Sequence, residues 1–131
     1  MTKVEAKSNE NYEAGGVLIN NGMYASSIHC FYYSCFQLTK RALVVIGESY
    51  SAQDSNSRGN DSHSYISGLL ETDLKGKDIY AQLDYNVFLS KLKRMRVIAD
   101  YKQTIITDKN ANDASSWAAK INDLIKTQYH L

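Results

Sequence analysis

The chain has 131 residues, a length that fits one domain and leaves no room for two sizeable hydrophobic cores. Apolar residues make up 44% of it and charged residues 22%, a balance that excludes wholesale disorder. The net charge of +1 excludes attraction to nucleic acid or membranes through bulk charge alone. The sequence contains no proline, so long uninterrupted helices are permitted.

The start of the chain has no apolar run of signal-peptide length, and runs such as residues 42–46 are far shorter than the ~20 residues of a membrane span. Cys30 and Cys35, the two cysteines, lie about 140° apart around a helix axis. At that angle the two thiols can neither form a disulfide within the helix nor bind one metal ion together. Both cysteines are therefore predicted to be reduced core residues. These features predict a cytoplasmic protein with no membrane contact, metal or cofactor.

The first two predicted helices span residues 9–19 and 23–46. The Asn-Asn-Gly break between them predicts an antiparallel pair, because Asn and Gly adopt the left-handed conformation that ends helices. Gly15 and Gly16 indicate a close approach between the two helices. The second helix carries two neighbouring apolar stripes, which predicts a helix covered on more than one side at the centre of a bundle.

The second half of the chain alternates polar breaks with apolar periodicity. Residues 49–62 have no periodicity and are rich in small polar residues, which predicts a loop, the most mobile part of the chain. Ser62 and Asp78 are predicted helix N-caps. The remaining helices are predicted over residues 63–74, 79–105 and 111–129, with a turn at 108–112. The whole pattern predicts an all-α antiparallel four- or five-helix bundle, a single domain over residues 1–131.

Two segments of this pattern resemble the HEPN superfamily (higher eukaryote and prokaryote nucleotide-binding domains). They are Gly-Met-Tyr24-Ala-Ser-Ser-Ile-His29-Cys-Phe-Tyr32-Tyr33-Ser-Cys-Phe and Arg94-Met-Arg96-Val-Ile-Ala-Asp100-Tyr101. The likeness is closest to small stand-alone bacterial members, and the order of elements fits over nearly the whole chain. The resemblance implies an HEPN-like bundle, often dimeric, and often encoded beside a small nucleotidyltransferase in pairs of the toxin–antitoxin type.

Many members of that superfamily are metal-independent ribonucleases that cut with an Arg, four to six intervening residues and a His. Arg58 and His63 satisfy this spacing, and Tyr65 matches a Tyr that marks some toxins as targets of adenylylation. His63 would act as general acid or base on the ribose 2′-hydroxyl, and Arg58 would stabilise charge on the phosphate. However, this motif begins in a polar loop and Gly59 replaces a polar residue. The alternative is a surface loop with a structural or partner-binding His63.

The stretch around Arg94 and Arg96 is the most basic in the chain. These two residues and Tyr101 are predicted to contact an anion, a nucleotide or RNA, since neighbouring basic side chains neutralise phosphates without a large net charge. The alternative is a solvated helix face on which Arg96 pairs with Asp100, four residues further on.

His29, Tyr32 and Tyr33 lie within one turn of the predicted central helix. With Asp100 they are predicted to form a structural polar cluster, because buried tyrosine hydroxyls need partners and Asp100 or Arg96 across the bundle would serve. The favoured function is therefore an HEPN-like, non-catalytic binding module. Its predicted partners are a second copy in a homodimer, a nucleotidyltransferase, and a nucleotide or RNA. The alternatives are a metal-independent endoribonuclease, the toxin of such a pair, and a purely structural dimerisation bundle.

Overall fold

A computed structural model of the chain describes residues 1–59 and 61–131. Over those residues it contains six α-helices and no strand, which confirms the predicted all-α class. None of the described helices is both long and apolar enough to cross a membrane. The helices are α1 (Lys3–Asn20), α2 (Tyr24–Val45), α3 (Tyr50–Asn56), α4 (Ser62–Lys77), α5 (Ile79–Tyr101) and α6 (Asp108–Tyr129).

Helix α2 is the central helix, as its two apolar stripes predict. It packs against α1, α4, α5 and α6 and also touches α3. Ile28, Phe31, Cys35 and Ala42 have no exposed surface, and other buried residues lie beside them on the same helix. Burying a large apolar side chain contributes roughly 1.5–3 kcal/mol, so this one helix supplies much of the driving force for folding.

Helices α1 and α2 pack antiparallel across the turn that follows α1. Gly22 in that turn has a φ of +72°, the left-handed conformation that the Asn-Asn-Gly break predicts. Gly15 is the point of close approach, because a Cβ added there would overlap Cε1 of the buried Phe31 ring. A Cβ at Gly16 would meet no atom within 4 Å, so Gly16 takes no part in the contact.

The prediction of an irregular loop over residues 49–62 is wrong, because α3 lies within it. The hydroxyl of Ser49 caps α3 at the backbone N–H of Ala52. Gln53 is fully buried, and its Nε2 donates to the backbone carbonyls of Lys40 and Glu48 at distances of 3.1 and 2.9 Å. This helix is therefore held by a buried amide and not by an apolar stripe. Asn60, also in the predicted loop, lies outside the described residues.

Two helices begin earlier than predicted because capping boxes start them. The Thr2 hydroxyl accepts from the N–H of Glu5, and the Glu5 carboxylate accepts from the N–H of Thr2, so α1 begins well before its predicted start. Thr107 and Asn110 cap α6 in the same reciprocal way. The predicted turn at 108–112 is therefore wrong, since these residues are helical.

The remaining differences concern the ends of α4 and α5. Asp61, and not the predicted Ser62, is the N-cap of α4, where its carboxylate accepts from two backbone N–H groups of the first turn. Helix α4 continues through Gly76 instead of breaking before it. Asp78 caps α5 as predicted, and α5 ends at Tyr101, before its predicted end. The first turn of α4 contains His63, and the last turns of α5 contain Arg96 and Tyr101.

The Gly15 contact can be tested with a pair of neighbouring substitutions. Gly15→Ala should destabilise the fold, because its methyl group overlaps the Phe31 ring and overpacking costs about 1–3 kcal/mol. Gly16→Ala should stabilise it by about 0.5–1 kcal/mol through helix propensity alone. Urea unfolding followed by circular dichroism measures both free energies of unfolding. If the two variants shift the unfolding midpoint in the same direction, the close approach is not as described.

Candidate functional site

Arg96 lies on α5 and points toward α2, with only 12% of its side chain exposed. Its guanidinium carbon is 4.7 Å from the ring centre of Tyr32 and 6.0 Å from the ring centres of Tyr33 and Tyr101. Aromatic faces attract a guanidinium group through the negative charge of their π-systems. Three tyrosine rings therefore hold the Arg96 side chain in place. Arg96, Tyr32, Tyr33, Tyr101, His63 and Lys93 are called the Arg96 site below.

The N–H groups of the Arg96 guanidinium form no good hydrogen bond with the described residues. The nearest acceptor is Oδ2 of Asp100, 3.5 Å from a terminal nitrogen, which makes an ion pair too long for a good hydrogen bond. The Nε atom is buried and has no hydrogen-bond partner among these residues. A guanidinium group has five N–H donors in a fixed planar arrangement. A positioned arginine with free donors is the side chain best suited to bind a carboxylate or a phosphate.

His63 joins this arrangement from the first turn of α4. Its Nδ1 lies 2.8 Å from the hydroxyl oxygen of Tyr32, which is 2% exposed. Its ring stacks on Phe36 with 4.2 Å between the ring centres and 7° between the planes. Since the buried Tyr32 hydroxyl forms no other hydrogen bond with the described residues, its proton is placed toward Nδ1. This assignment leaves the imidazole N–H on Nε2.

The charges around His63 favour its neutral form. Burial lowers the pKa of His63 below its ordinary value, and the nearby positive charges of Arg96, Lys93 and Lys40 lower it further, while Asp61 opposes them. Burial raises the pKa of Tyr32 to about 12, against the opposing effect of Arg96. Both groups are therefore neutral at neutral pH, and Arg96, Lys93 and Lys40 remain the positive charges around His63.

Lys93 lies one turn before Arg96 on the same side of α5. Its Nζ donates to the hydroxyl of Ser64 at 2.6 Å and lies 3.5 Å from Oδ2 of Asp61. Hydrogen bonds from Ser64, with a contribution from Lys93, lower the pKa of Asp61 to about 2. Asp61 therefore stays negatively charged and partly neutralises Lys93, whereas Arg96 is paired with a different carboxylate.

The predicted polar cluster of His29, Tyr32, Tyr33 and Asp100 does come together. Nδ1 of His29 lies 3.0 Å from Oδ2 of Asp100, and the His29 ring lies 4.6 Å from the Tyr33 ring. Asp100 is thus shared between His29 and Arg96. The hydroxyl of Tyr32, however, pairs with His63 and not with Asp100 or Arg96.

The other predicted site residues lie outside this arrangement. Arg58 is exposed after α3 and forms no hydrogen bond or ion pair with residues 1–59 or 61–131. Tyr65 is half-buried on α4 and packs against the core. Arg94 is exposed on α5, and two residues from Arg96 correspond to about 200° around the helix. Their predicted catalytic and ligand-binding roles stay predictions.

The predicted site residues did not include Phe36 or Lys93, although Lys93 belongs to the predicted basic stretch around Arg94 and Arg96. The three-residue spacing from Lys93 to Arg96 places both on one helix face and could have indicated Lys93. Phe36 could not be assigned in this way, because its contact with His63 depends on how α4 packs on α2. Among the described residues, no group of three or more His, Cys, Asp or Glu side chains could hold a metal ion.

Comparisons of the chain with protein-family models, with curated proteins and with solved structures found no match.

The environment of His63 makes stability depend on pH. The unfolded chain binds a proton near the ordinary pKa of 6.5, but folded His63 binds it only at lower pH, so the free energy of unfolding falls as the pH drops below about 6.5. His63→Gln should flatten this dependence between about pH 6.5 and pH 5, because glutamine does not titrate. Urea unfolding at a series of pH values measures both slopes. Equal slopes would contradict the buried, cation-facing environment of His63.

Proposed function

We propose that this protein is a non-catalytic, HEPN-like binding module that takes a phosphate-bearing ligand, a nucleotide or RNA, at the Arg96 site. The observation that carries the proposal is Arg96 itself. Its side chain is 12% exposed and held by three tyrosine rings, its Nε has no hydrogen-bond partner among the described residues, and a terminal nitrogen makes only a 3.5 Å ion pair with Asp100. A phosphate offers paired oxygens that match a guanidinium group with two parallel hydrogen bonds.

The surrounding charges support a phosphate over a neutral ligand. Lys93 and Lys40 lie near enough to His63 to influence its titration, as does Arg96. Neutral His63 adds an Nε2–H donor without adding charge. A few such contacts neutralise phosphates even in a protein whose net charge is +1.

Tyr101 supports a ligand that carries a base. It is 71% exposed at the end of α5, and its ring lies 6.0 Å from the guanidinium carbon of Arg96. Exposed aromatic rings beside basic side chains are typical of proteins on which nucleobases stack. A nucleotide or an RNA strand would use both the ring and the cation, whereas inorganic phosphate would use the cation alone.

Two further expectations from the sequence belong to the same proposal. The resemblance to HEPN proteins makes a nucleotidyltransferase the partner protein that we favour. The alternative, a metal-independent endoribonuclease working through Arg58 and His63, receives less support, since His63 is engaged by Tyr32 and Arg58 is exposed.

The proposal can be tested with two arginines on the same helix. Arg96→Gln should weaken binding of a nucleoside monophosphate or a short RNA by roughly 10- to 100-fold, the effect of losing charged hydrogen bonds. Arg94→Gln removes the same charge from an exposed position and should change the affinity by less than about threefold. Isothermal titration calorimetry at fixed ionic strength measures both. Equal losses in the two variants would mean that the binding is general electrostatic attraction.

A dimerisation role is favoured by a second observation, an exposed apolar stripe on α5. Leu83 and Val87 are four residues apart, and 51% and 47% of their surfaces are exposed. Asp84 and Lys91 flank Val87 on either side along the helix. If α5 of a second copy packs antiparallel about Val87, each Asp84 approaches the other copy's Lys91, so the stripe is self-complementary in both charge and hydrophobicity.

This dimer can be tested by sedimentation velocity over a range of concentrations. Leu83→Glu should convert the dimer to a monomer, because it places a charge within the apolar stripe, one turn from Val87. Val17→Glu, at a 59% exposed position on α1, is the matched control and should leave the dimer intact. A monomeric wild-type protein, or equal effects of the two variants, would contradict dimerisation through α5.

A further inference from the structure

A cavity of about 260 Å³ lies between α4 and α5, and Lys93 of the Arg96 site is part of its lining. Residues of α4 at spacings of three and four form one wall, and residues of α5 form the other. Polar side chains stand on both walls, and Tyr85 and Leu89 of α5 add an apolar part to the lining. The residues that matter below are Ser64, Ser67, Gly68 and Glu71 from α4, and Asn86 and Lys93 from α5.

The two ends of the cavity carry opposite charges. Lys93 and Ser64 are hydrogen-bonded to each other at one end, and Lys93 belongs to the Arg96 site as well. Glu71 lies at the other end. Ser64 and Glu71 are seven residues apart on α4, which corresponds to about 10 Å along the helix. A ligand that spans the cavity therefore meets a cation at one end and, two turns further along α4, a carboxylate.

The carboxylate of Glu71 is held in a fixed orientation by two amides. Its Oε1 accepts from Nε2 of Gln82 at 2.8 Å and from Nδ2 of Asn86 at 2.7 Å. Its Oε2 accepts no hydrogen bond from the described residues. An ionised carboxylate only accepts hydrogen bonds, so the part of a ligand that reaches Glu71 must be a donor and cannot be a phosphate.

The middle of the cavity is suited to a small hydroxylated group. The Ser67 hydroxyl donates to the backbone carbonyls of His63 and Ser64, at 2.9 and 3.3 Å, so its oxygen is left as an acceptor. Gly68 has no side chain, and a Cβ there would meet no atom within 4 Å, so this position leaves open space. The Ser67 oxygen on the α4 wall and Oε2 of Glu71 at the end of the cavity both accept hydrogen bonds. They therefore favour a ligand group with several O–H donors.

We infer that the cavity between α4 and α5 is a sugar subsite, which binds the ribose hydroxyls of a 5′-phosphorylated ribose through Glu71 while the phosphate lies at Lys93 and Arg96. This inference rests on the proposed function, since the phosphate end is the Arg96 site. A phosphorylated pentose has its phosphate and its far hydroxyls at opposite ends, as the cavity has Lys93 and Glu71. The opposite charges of the two ends fix its direction.

The inference can be tested by calorimetric titration of the full chain with inorganic phosphate, ribose 5-phosphate and 2-deoxyribose 5-phosphate. Ribose 5-phosphate should bind roughly tenfold more tightly than inorganic phosphate, and the deoxy sugar should lose most of that gain. Glu71→Gln should abolish the gain and leave the affinity for inorganic phosphate unchanged. Its amide oxygen still accepts from Gln82 and Asn86, which preserves the contact between α4 and α5.

Glu48→Gln is the matched control for this substitution. Glu48 also accepts from an asparagine amide, that of Asn56 at 3.3 Å, but it lies outside the cavity. This variant should keep the full preference for ribose 5-phosphate. Chemical-shift changes in the same titrations, followed by NMR, should involve the backbone N–H groups of Gly68 and Glu71 only when the sugar is present.

The possible outcomes separate this inference from the proposed function. If wild-type protein binds inorganic phosphate and ribose 5-phosphate equally, the sugar subsite is wrong and the Arg96 site stands. The same conclusion follows if Glu71→Gln keeps the preference or if Glu48→Gln loses it. If neither phosphate nor sugar phosphate binds, and Arg96→Gln changes nothing, the proposed function and the sugar subsite both fail.

Discussion

The contact between the Arg96 guanidinium and the Tyr32 ring, 4.7 Å apart, organises one face of this bundle. Tyr32 belongs to the central helix α2, and its hydroxyl is held by His63 from α4, while Arg96 comes from α5. Three helices thus meet at one tyrosine. Taking a guanidinium group out of water is costly unless other groups compensate for the lost hydration. The aromatic faces and the ion pair with Asp100 provide part of that compensation, and a bound phosphate would provide more.

Other buried polar groups of the bundle are satisfied more fully or cost less. Ser8 and Ser34 join α1 and α2 by donating to each other's backbone carbonyls, both at 2.7 Å. Gln53 and Asn122 each leave a buried carbonyl oxygen unpaired, but their amide nitrogens are hydrogen-bonded. An unpaired neutral oxygen costs about 1–3 kcal/mol, and a charged group costs more. The unpaired Nε–H of Arg96 belongs to a charged group and is therefore the most costly of these three unpaired atoms, a cost that the proposed phosphate would offset by pairing with the terminal nitrogens of the same guanidinium group.

Apolar periodicity predicted the features that belong to a single helix, as opposed to the contacts between helices. It identified α2 as the central helix, and the Gly15-Gly16 pair indicated a close contact, which the structure shows at Gly15 against the Phe31 ring and not at Gly16. The start of α1 was predicted too late, at residue 9, although Thr2 and Glu5 have the spacing of a capping box that could have indicated it. Apolar periodicity did not predict α3, because the buried amide of Gln53, and not an apolar stripe, attaches this helix to the rest of the fold. The contact between His63 and Tyr32 depends on long-range packing of α4 on α2, which spacing along the sequence does not encode.

The most direct measurement of the Arg96 site is the NMR signal of the Arg96 Nε–H group, assigned by comparison with Arg96→Gln. A guanidinium group that lies over the Tyr32 ring has this proton shielded by the ring, so its signal should be displaced from that of the exposed Arg94. Addition of inorganic phosphate should then shift the Arg96 signal in a saturable manner and leave the Arg94 signal in place. An Arg96 signal that coincides with that of Arg94 and does not respond to phosphate would contradict the site.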